Sequence, residues 1–286
     1  MITSASNKKI KNVMLLLSKS KERKKQGLFV TEGIKMFLEA PEDWLKEIYL
    51  SEELWDGSGD DTGARGREAA KKLSRLKERG DMTIETVKGD VFRKMCDTKT
   101  PQGILCVMTM PEYDLAKILG NEGICGENGR QSGKVPGLYL ILEDIQDPGN
   151  LGTMIRSGEG AGITGVIMSA NTVDLFNPKT VRATMGSIYR VPFVYTDDLA
   201  AAVCAVKKAG VKTYAAHLEG TRDYDREDYR KAAAFLIGNE GNGLTRETAD
   251  LADHYIKIPM CGRVESLNAA IAATLLTYEA ARQRRN

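Results

Sequence analysis

The chain has 286 residues, room for about two domains, and its 42% hydrophobic and 28% charged content is that of a globular protein rather than a disordered one. No apolar run approaches the ~20 residues that a membrane span needs and the N-terminus lacks a signal-peptide core, so the cytoplasm is the expected compartment. Five scattered cysteines (Cys96, Cys106, Cys125, Cys204, Cys261) without paired spacing, and two distant histidines, His217 and His254, set beside or within apolar runs, argue against a disulfide framework, a zinc site or a histidine-based triad.

The net charge of +2 hides a basic start. Residues 1–110 hold 21 Lys and Arg against 17 Asp and Glu, and Lys8, Lys9, Lys11, Lys19, Lys21, Arg23, Lys24 and Lys25 face only Glu22. Ile10, Val13, Met14 and Leu17 recur at helical spacing, so these cations are expected to decorate the outer side of a helix. Such a cluster is a solvated face by default, and a phosphate-binding one if the rest of the chain points to nucleic acid. A short apolar segment follows, Gly27-Leu-Phe-Val-Thr-Glu-Gly33, then a helix through Met36 and Phe37 and a strand over Glu47–Ser51. A Gly/Asp-rich loop from Asp56 to Gly63 leads to a charged helix, Arg65 to Arg79, and strands at Met82–Val87 and Gly103–Met110 complete a small α/β domain.

Residues 121–137 are crowded with Gly, Asn and Ser and lack periodicity, the composition of a flexible linker. The expected division is therefore 1–111, a linker over 112–136, and a second domain over 137–286. In that second domain strands are expected at Leu138–Leu142, Gly165–Ser169, Val191–Tyr195, Lys212–Ala216, Ala233–Ile237 and His254–Ile258. Helical patterns fill the gaps, among them Asn177–Ile188 and Asp198–Ala209. Near-continuous apolar strands separated by helices predict a parallel sheet covered on both faces.

Three strand-to-helix junctions carry the candidate chemistry. In Asp147-Pro-Gly-Asn-Leu-Gly-Thr-Met-Ile-Arg156, residues Leu151, Met154, Ile155, Gly158 and Gly162 share one helical face. Arg156 lies off that face among Gly149, Gly152, Thr153 and Gly160, and Asn150 stands where an N-cap would. In Phe235-Leu-Ile-Gly-Asn-Glu-Gly-Asn-Gly-Leu244, Glu240 sits between glycines directly after a buried strand, where a carboxylate needs a partner. In Ile258-Pro-Met-Cys-Gly-Arg-Val-Glu-Ser-Leu-Asn268 a strand stops at Pro259, and Ser266 is the expected N-cap of the last helix. That helix places Leu267, Ile271, Thr274, Leu275 and Tyr278 on one face and Ala269, Ala270, Ala272 and Ala273 on others, which predicts close contact on two sides, one of them a second subunit. A formal GxGxxG, Gly160 to Gly165, is followed by a strand rather than a helix, the reverse of a dinucleotide fingerprint, and is read as a helix end and turn.

Taken together, the three junctions resemble, in order, the signature motifs of the SpoU/TrmH family of AdoMet-dependent RNA ribose 2′-O-methyltransferases. The resemblance implies a parallel sheet with a deep trefoil knot, a homodimer with its active site at the subunit interface, and S-adenosyl-L-methionine as cofactor. It also implies backbone contacts to that cofactor at Gly238, Ile258 and Leu267, with Met260 and Gly243 nearby, and functional polar groups at Asn150, Arg156, Glu240, Ser266 and Asn268. The first domain resembles the family's L30e-like RNA-binding extension, with Gly27–Gly33 as its recognisable piece.

The implied reaction is attack of a ribose 2′-oxygen on the methyl carbon of a sulfonium, and the basic first domain favours ribosomal RNA, 23S rRNA foremost. Transfer RNA, a non-catalytic RNA-binding protein that kept the fold, and methylation at a base are the alternatives. Arg156 is the family's proposed proton acceptor. Since a guanidinium stays charged, it is read here as the group that binds phosphate and stabilises the developing alkoxide, with the proton passing to a phosphate oxygen or water.

Overall fold

The computed structural model describes residues 1–53, 63–80, 82–120 and 135–285. The expected Gly/Asp-rich loop before Gly63 and residues 121–134 of the expected linker lie outside that range. The chain divides into two compact units, Met1–Pro111 with Asp174–Tyr189, and Glu112–Val173 with Arg190–Asn286.

The first unit opens with α1 (Lys8–Ser18) and α2 (Ser20–Gln26). Asn7 caps α1 by accepting from the Lys9 N–H at 2.9 Å, and Gly27, in the left-handed region at φ 64°, stops α2. The buried side of α1 is Ile10, Val13 and Leu16, whereas the expected Met14 is 41% exposed: the stripe is rotated by part of a turn. Then come β1 (Leu28–Glu32), α3 (Ile34–Glu39), β2 (Leu45–Ser51), α4 (Gly63–Arg79), β3 (Thr83–Val87), α5 (Gly89–Lys94) and β4 (Ile104–Thr109). They form a four-stranded sheet in the order β1-β4-β2-β3, antiparallel except for the parallel pair β2 and β3.

The second unit contains α6 (Leu115–Gly120), β5 (Leu138–Leu142), α7 (Pro148–Ala161) and β6 (Gly165–Ser169). The chain then contributes α8 (Pro178–Thr184) and a 3-10 turn, Ser187–Tyr189, to the first unit, where the Phe29 and Phe176 rings lie 4.7 Å apart and the Tyr189 hydroxyl donates to the Met36 carbonyl. The single helix expected over Asn177–Ile188 is broken because Met185 adopts a left-handed conformation, φ 52°, before Gly186. Back in the second unit follow β7 (Phe193–Thr196), α9 (Leu199–Lys208), β8 (Lys212–Ala216), β9 (Arg222–Asp223), β10 (Ala233–Ile237), α10 (Arg246–Ala249), β11 (His254–Lys257) and α11 (Ala269–Arg284).

These strands make one parallel sheet in the order β7-β6-β5-β10-β8-β11-β9, as the uninterrupted apolar runs predicted. Every residue of β5, β6 and β10 is buried. In such a sheet the carboxyl ends of the strands point to one edge, and the three motif junctions after β5, β10 and β11 all fall there. Gly160 and Gly162 end α7, with Gly162 at φ 83°, in line with the rejection of a dinucleotide fingerprint.

Candidate functional site

The first junction runs from Glu143 into α7. Asp147, not Asn150, caps this helix: its carboxylate accepts from the Asn150 N–H at 2.8 Å, and Pro148 occupies the first helical position, where its missing N–H is harmless. The Asp147-Pro148 pair was the sequence signal for the true cap. Asn150 is thereby released one turn into the helix with its amide free to reach sideways.

It reaches Glu240. The Asn150 Nδ2 donates to Glu240 Oε1 at 3.0 Å, the Asp147 N–H donates to the same oxygen at 3.1 Å, and the Gln146 N–H donates to Oε2 at 3.0 Å. The Glu240 residue is exposed, not buried as its position after β10 suggested, yet its carboxylate is fully engaged. Partial desolvation pushes its pKa up, but the bonds from Asn150, Gln146 and Asp147 outweigh this and hold it below the usual 4.5.

Asn268 closes the set from the third junction. Its Nδ2 donates to Asn150 Oδ1 at 3.0 Å, while its own Oδ1 accepts from the Ala270 and Ile271 N–H groups at the head of α11. Asn268 is therefore the N-cap expected at Ser266, which lies exposed two residues earlier. The polarity of the chain is fixed throughout: an ionised carboxylate accepts only, so Asn150 turns its NH₂ toward Glu240 and its oxygen toward Asn268.

Further residues that the sequence did not single out hold the glycine loop in place. The Asn239 Nδ2 donates to the Asp144 carbonyl at 2.8 Å, and its Oδ1 accepts from the N–H groups of Gly241 and Asn242. Asp144 is left-handed at φ 54° and clamped by Ser169, whose hydroxyl donates to Asp144 Oδ1 at 2.6 Å. Buried Glu143 accepts from the Thr245 N–H at 2.7 Å and from the Thr245 and Thr248 hydroxyls. Gly243, at φ 71°, donates its N–H back to the Asn239 carbonyl at 2.8 Å, and a Cβ on Gly238 would stand 2.0 Å from the Gly243 carbonyl carbon. The turn is thus closed so tightly that only glycine fits at 238.

Beside this turn opens a cleft of about 600 Å³, the size of a small-molecule site. Gly238, Gly243, Ile258, Met260 and Leu267 all line it, as do Glu240 and Ser266. Bare backbone at the glycines, apolar side chains such as Ile237, Leu244 and Ile256, and the carboxylates of Asp223, Glu240 and Glu265 against the single ammonium of Lys257 suit a ligand that is part apolar and carries positive charge. His217 also lines the cleft, its Nδ1 accepting from the Glu219 N–H at 3.2 Å, while His254 stacks on Tyr214 at 5.6 Å.

Arg156 is not among the lining residues. It stands two turns along α7 from Asn150, exposed, without an ion-pair or hydrogen-bond partner among the described residues. On the neighbouring α11, Ala269, Ala270, Ala273, Leu276 and Ala280 pack inward, whereas Ile271 and Tyr278 are 52% and 44% exposed. The helix lies close against α7 and β10, the Thr274 hydroxyl bonding to Ser157 of α7 at 2.8 Å, and leaves Ile271 and Tyr278 outside.

Residues 137–278 match the model of the SpoU rRNA Methylase family, and residues 7–106 match the MRM3-like substrate binding domain. The chain is 33% identical to the Bacillus subtilis 23S rRNA (guanosine(2553)-2′-O)-methyltransferase RlmP, over 97% of each chain. Among solved structures, the AdoMet-bound rRNA methyltransferase of Sinorhizobium meliloti superposes with a TM-score of 0.78 at 31% identity, covering 98% of this chain and 97% of that one. The SpoU methyltransferase AviRb of Streptomyces viridochromogenes, in complex with AdoMet, gives 0.78 at 26% identity, over 98% and 99%.

Proposed function

The chain belongs to the SpoU rRNA methylase family, and from that premise we propose that it transfers the methyl group of S-adenosylmethionine to a ribose 2′-hydroxyl of 23S rRNA. The observation that carries this reading is the glycine-walled cleft at the carboxyl edge of the parallel sheet, joined through Glu240 to the Asn150 and Asn268 amides. The cofactor is held by the backbone of Gly238, Ile258 and Leu267, with Met260 and Gly243 beside them. Bound there, it supplies an electrophilic methyl group on a sulfonium.

The chain's own task is alignment and charge. Glu240 ties the glycine turn to the head of α7, so that the cofactor wall and the Asn150 amide keep one geometry, and Asn268 ties both to α11. Ser266 stands at the cleft rim to meet the nucleotide. Arg156 binds phosphate and stabilises negative charge growing on the 2′-oxygen, and the proton leaves to a phosphate oxygen or water.

The working form is a homodimer. Two features support it: Arg156 is exposed outside the cleft lining, so that a second copy completes the site, and α11 carries an outward apolar stripe. We assign residues 1–111, with 174–189 packed among them, to an L30e-like RNA-binding domain, and the rest of 137–286 to a knotted methyltransferase domain, acting in the cytoplasm; of the connection 112–136, α6 belongs to the core of the second unit. Incubation with labelled AdoMet and either a protein-free 23S rRNA transcript or unmodified tRNA tests the reading. Label should enter the 23S transcript; label in tRNA alone moves the substrate, and label in neither removes the enzyme.

A further inference from the structure

The eight cations at the start of the chain are sorted by the fold into two kinds. Arg23 turns inward. Its side chain is only 4% exposed, its guanidinium meets Asp174 at 2.6 Å, and it donates to the Leu16 and Leu17 carbonyls at the end of α1. Lys9 is also paired, with Glu85 at 2.7 Å. The other six, Lys8, Lys11, Lys19, Lys21, Lys24 and Lys25, are exposed, and none has an acidic partner among the described residues.

Their presentation follows from the two anchors. On α2, Lys21, Lys24 and Lys25 share one side at i, i+3 and i+4, and Arg23 lies on the opposite side, so clamping Arg23 inward drives the three lysines outward. On α1, the buried Ile10, Val13 and Leu16 force Lys8 and Lys11 to the solvent side. Lys19 sits at the junction where α1 ends and α2 begins. A solvated face with no further role would be expected to mix signs; the one acid in the run, Glu22, is instead half-buried and accepts from Gln26.

We propose that the outer face of α1 and α2 is the surface on which the RNA substrate's phosphate backbone lies, with Lys8, Lys11, Lys19, Lys21, Lys24 and Lys25 as its contacts. This rests on the methyltransferase reading for the partner being RNA, and adds which face of the chain holds it. Ammonium groups on flexible stems make point contacts with phosphate, so the face fixes affinity without reading sequence. Each neutralised phosphate releases counterions and adds about 0.7 to 0.9 to the slope of log affinity against log salt.

The test uses the full chain and a protein-free 23S rRNA transcript as probe, with affinity measured from low to moderate salt. The variant Lys21→Gln/Lys24→Gln/Lys25→Gln should lower the slope by about 2, and Lys8→Gln/Lys11→Gln by about 1.4. AdoMet binding should not change in either. The charge-preserving Lys21→Arg/Lys24→Arg/Lys25→Arg should keep the wild-type slope, and Lys9→Gln, on the same helix but paired with Glu85, should leave it unaltered. Equal slopes for wild type and both glutamine variants, with wild type still methylating the transcript, would overturn the assignment of this face alone. Failure of wild type to bind or methylate the transcript overturns the face and the methyltransferase reading together.

Discussion

Asn268 and Asn150 lie 118 residues apart in sequence and 3.0 Å apart in space, the amide of the first donating to the oxygen of the second. Asn268 performs two tasks with the two ends of one side chain, since its oxygen also caps α11. These tasks separate chemically. Asn268→Asp keeps an oxygen for the cap but has no N–H for Asn150, so the melting temperature should hold while kcat falls about tenfold or more. Asn268→Ala should lose the same activity and about 1 kcal/mol of stability besides. Thermal unfolding and turnover measured on both variants check this; equal stability losses would show that the cap and the contact are not distinct.

Glu240 sets the acid stability of the turn. Its carboxylate is held below its ordinary 4.5 in the folded chain, so the stabilisation it provides is fully present above that value and disappears only as pH falls through the lower folded value. Between pH 5 and pH 8 Glu240 should stay ionised and contribute no limb to the rate profile. Glu240→Gln replaces one of the two accepting oxygens by an NH₂, which then faces at least one of the three donors, and should reduce turnover at every pH in that range. A wild-type acidic limb near pH 6 that vanishes in Glu240→Gln would contradict the assignment.

Gly238 is the tightest point of the glycine turn that lines the cleft. A methyl group there would lie 2.0 Å from both the Gly243 carbonyl carbon and the Leu244 nitrogen, backbone atoms that cannot swing away. Gly238→Ala should open the turn, weaken AdoMet binding by tenfold or more in calorimetry, and lower stability by about 1–3 kcal/mol. Gly241→Ala, whose added carbon meets only the Asn239 side chain at 3.4 Å, is the matched control and should bind near normally.

The outward stripe of α11 predicts self-association. In sedimentation velocity the wild-type chain should run as a dimer, and Ile271→Arg/Tyr278→Arg should run as a monomer with lost methyl transfer. A wild-type monomer at tens of micromolar would remove the second copy from the account.

How far the sequence reached is clearest from individual residues. The strands of the parallel sheet were legible because β5 and β10 are apolar throughout and β6 is so up to Ser169 at its end, a pattern that burial on both faces explains. The caps were read one step off: Asn150 and Ser266 are good capping types, the Asp147-Pro148 pair that marks the first true cap was passed over, and only the fold shows that Asn268 takes the second place. Arg23 looked like one more member of a basic run, since nothing local announces that Asp174 will meet it. For α11 two contact faces were legible but not their neighbours, because periodicity separates faces without saying what packs on each; the fold puts Ala269, Ala273, Leu276 and Ala280 inward. The break at Met185 has no signal beyond the glycine that follows it.

The central claim is that the cleft beside Glu240 delivers a methyl group to a ribose oxygen of RNA. Its most direct test is alkaline hydrolysis of RNA methylated by this chain with labelled AdoMet, because a methylated 2′-oxygen cannot attack the neighbouring phosphate. The account predicts label in alkali-resistant dinucleotides; label in mononucleotides, carried on the base, would contradict it.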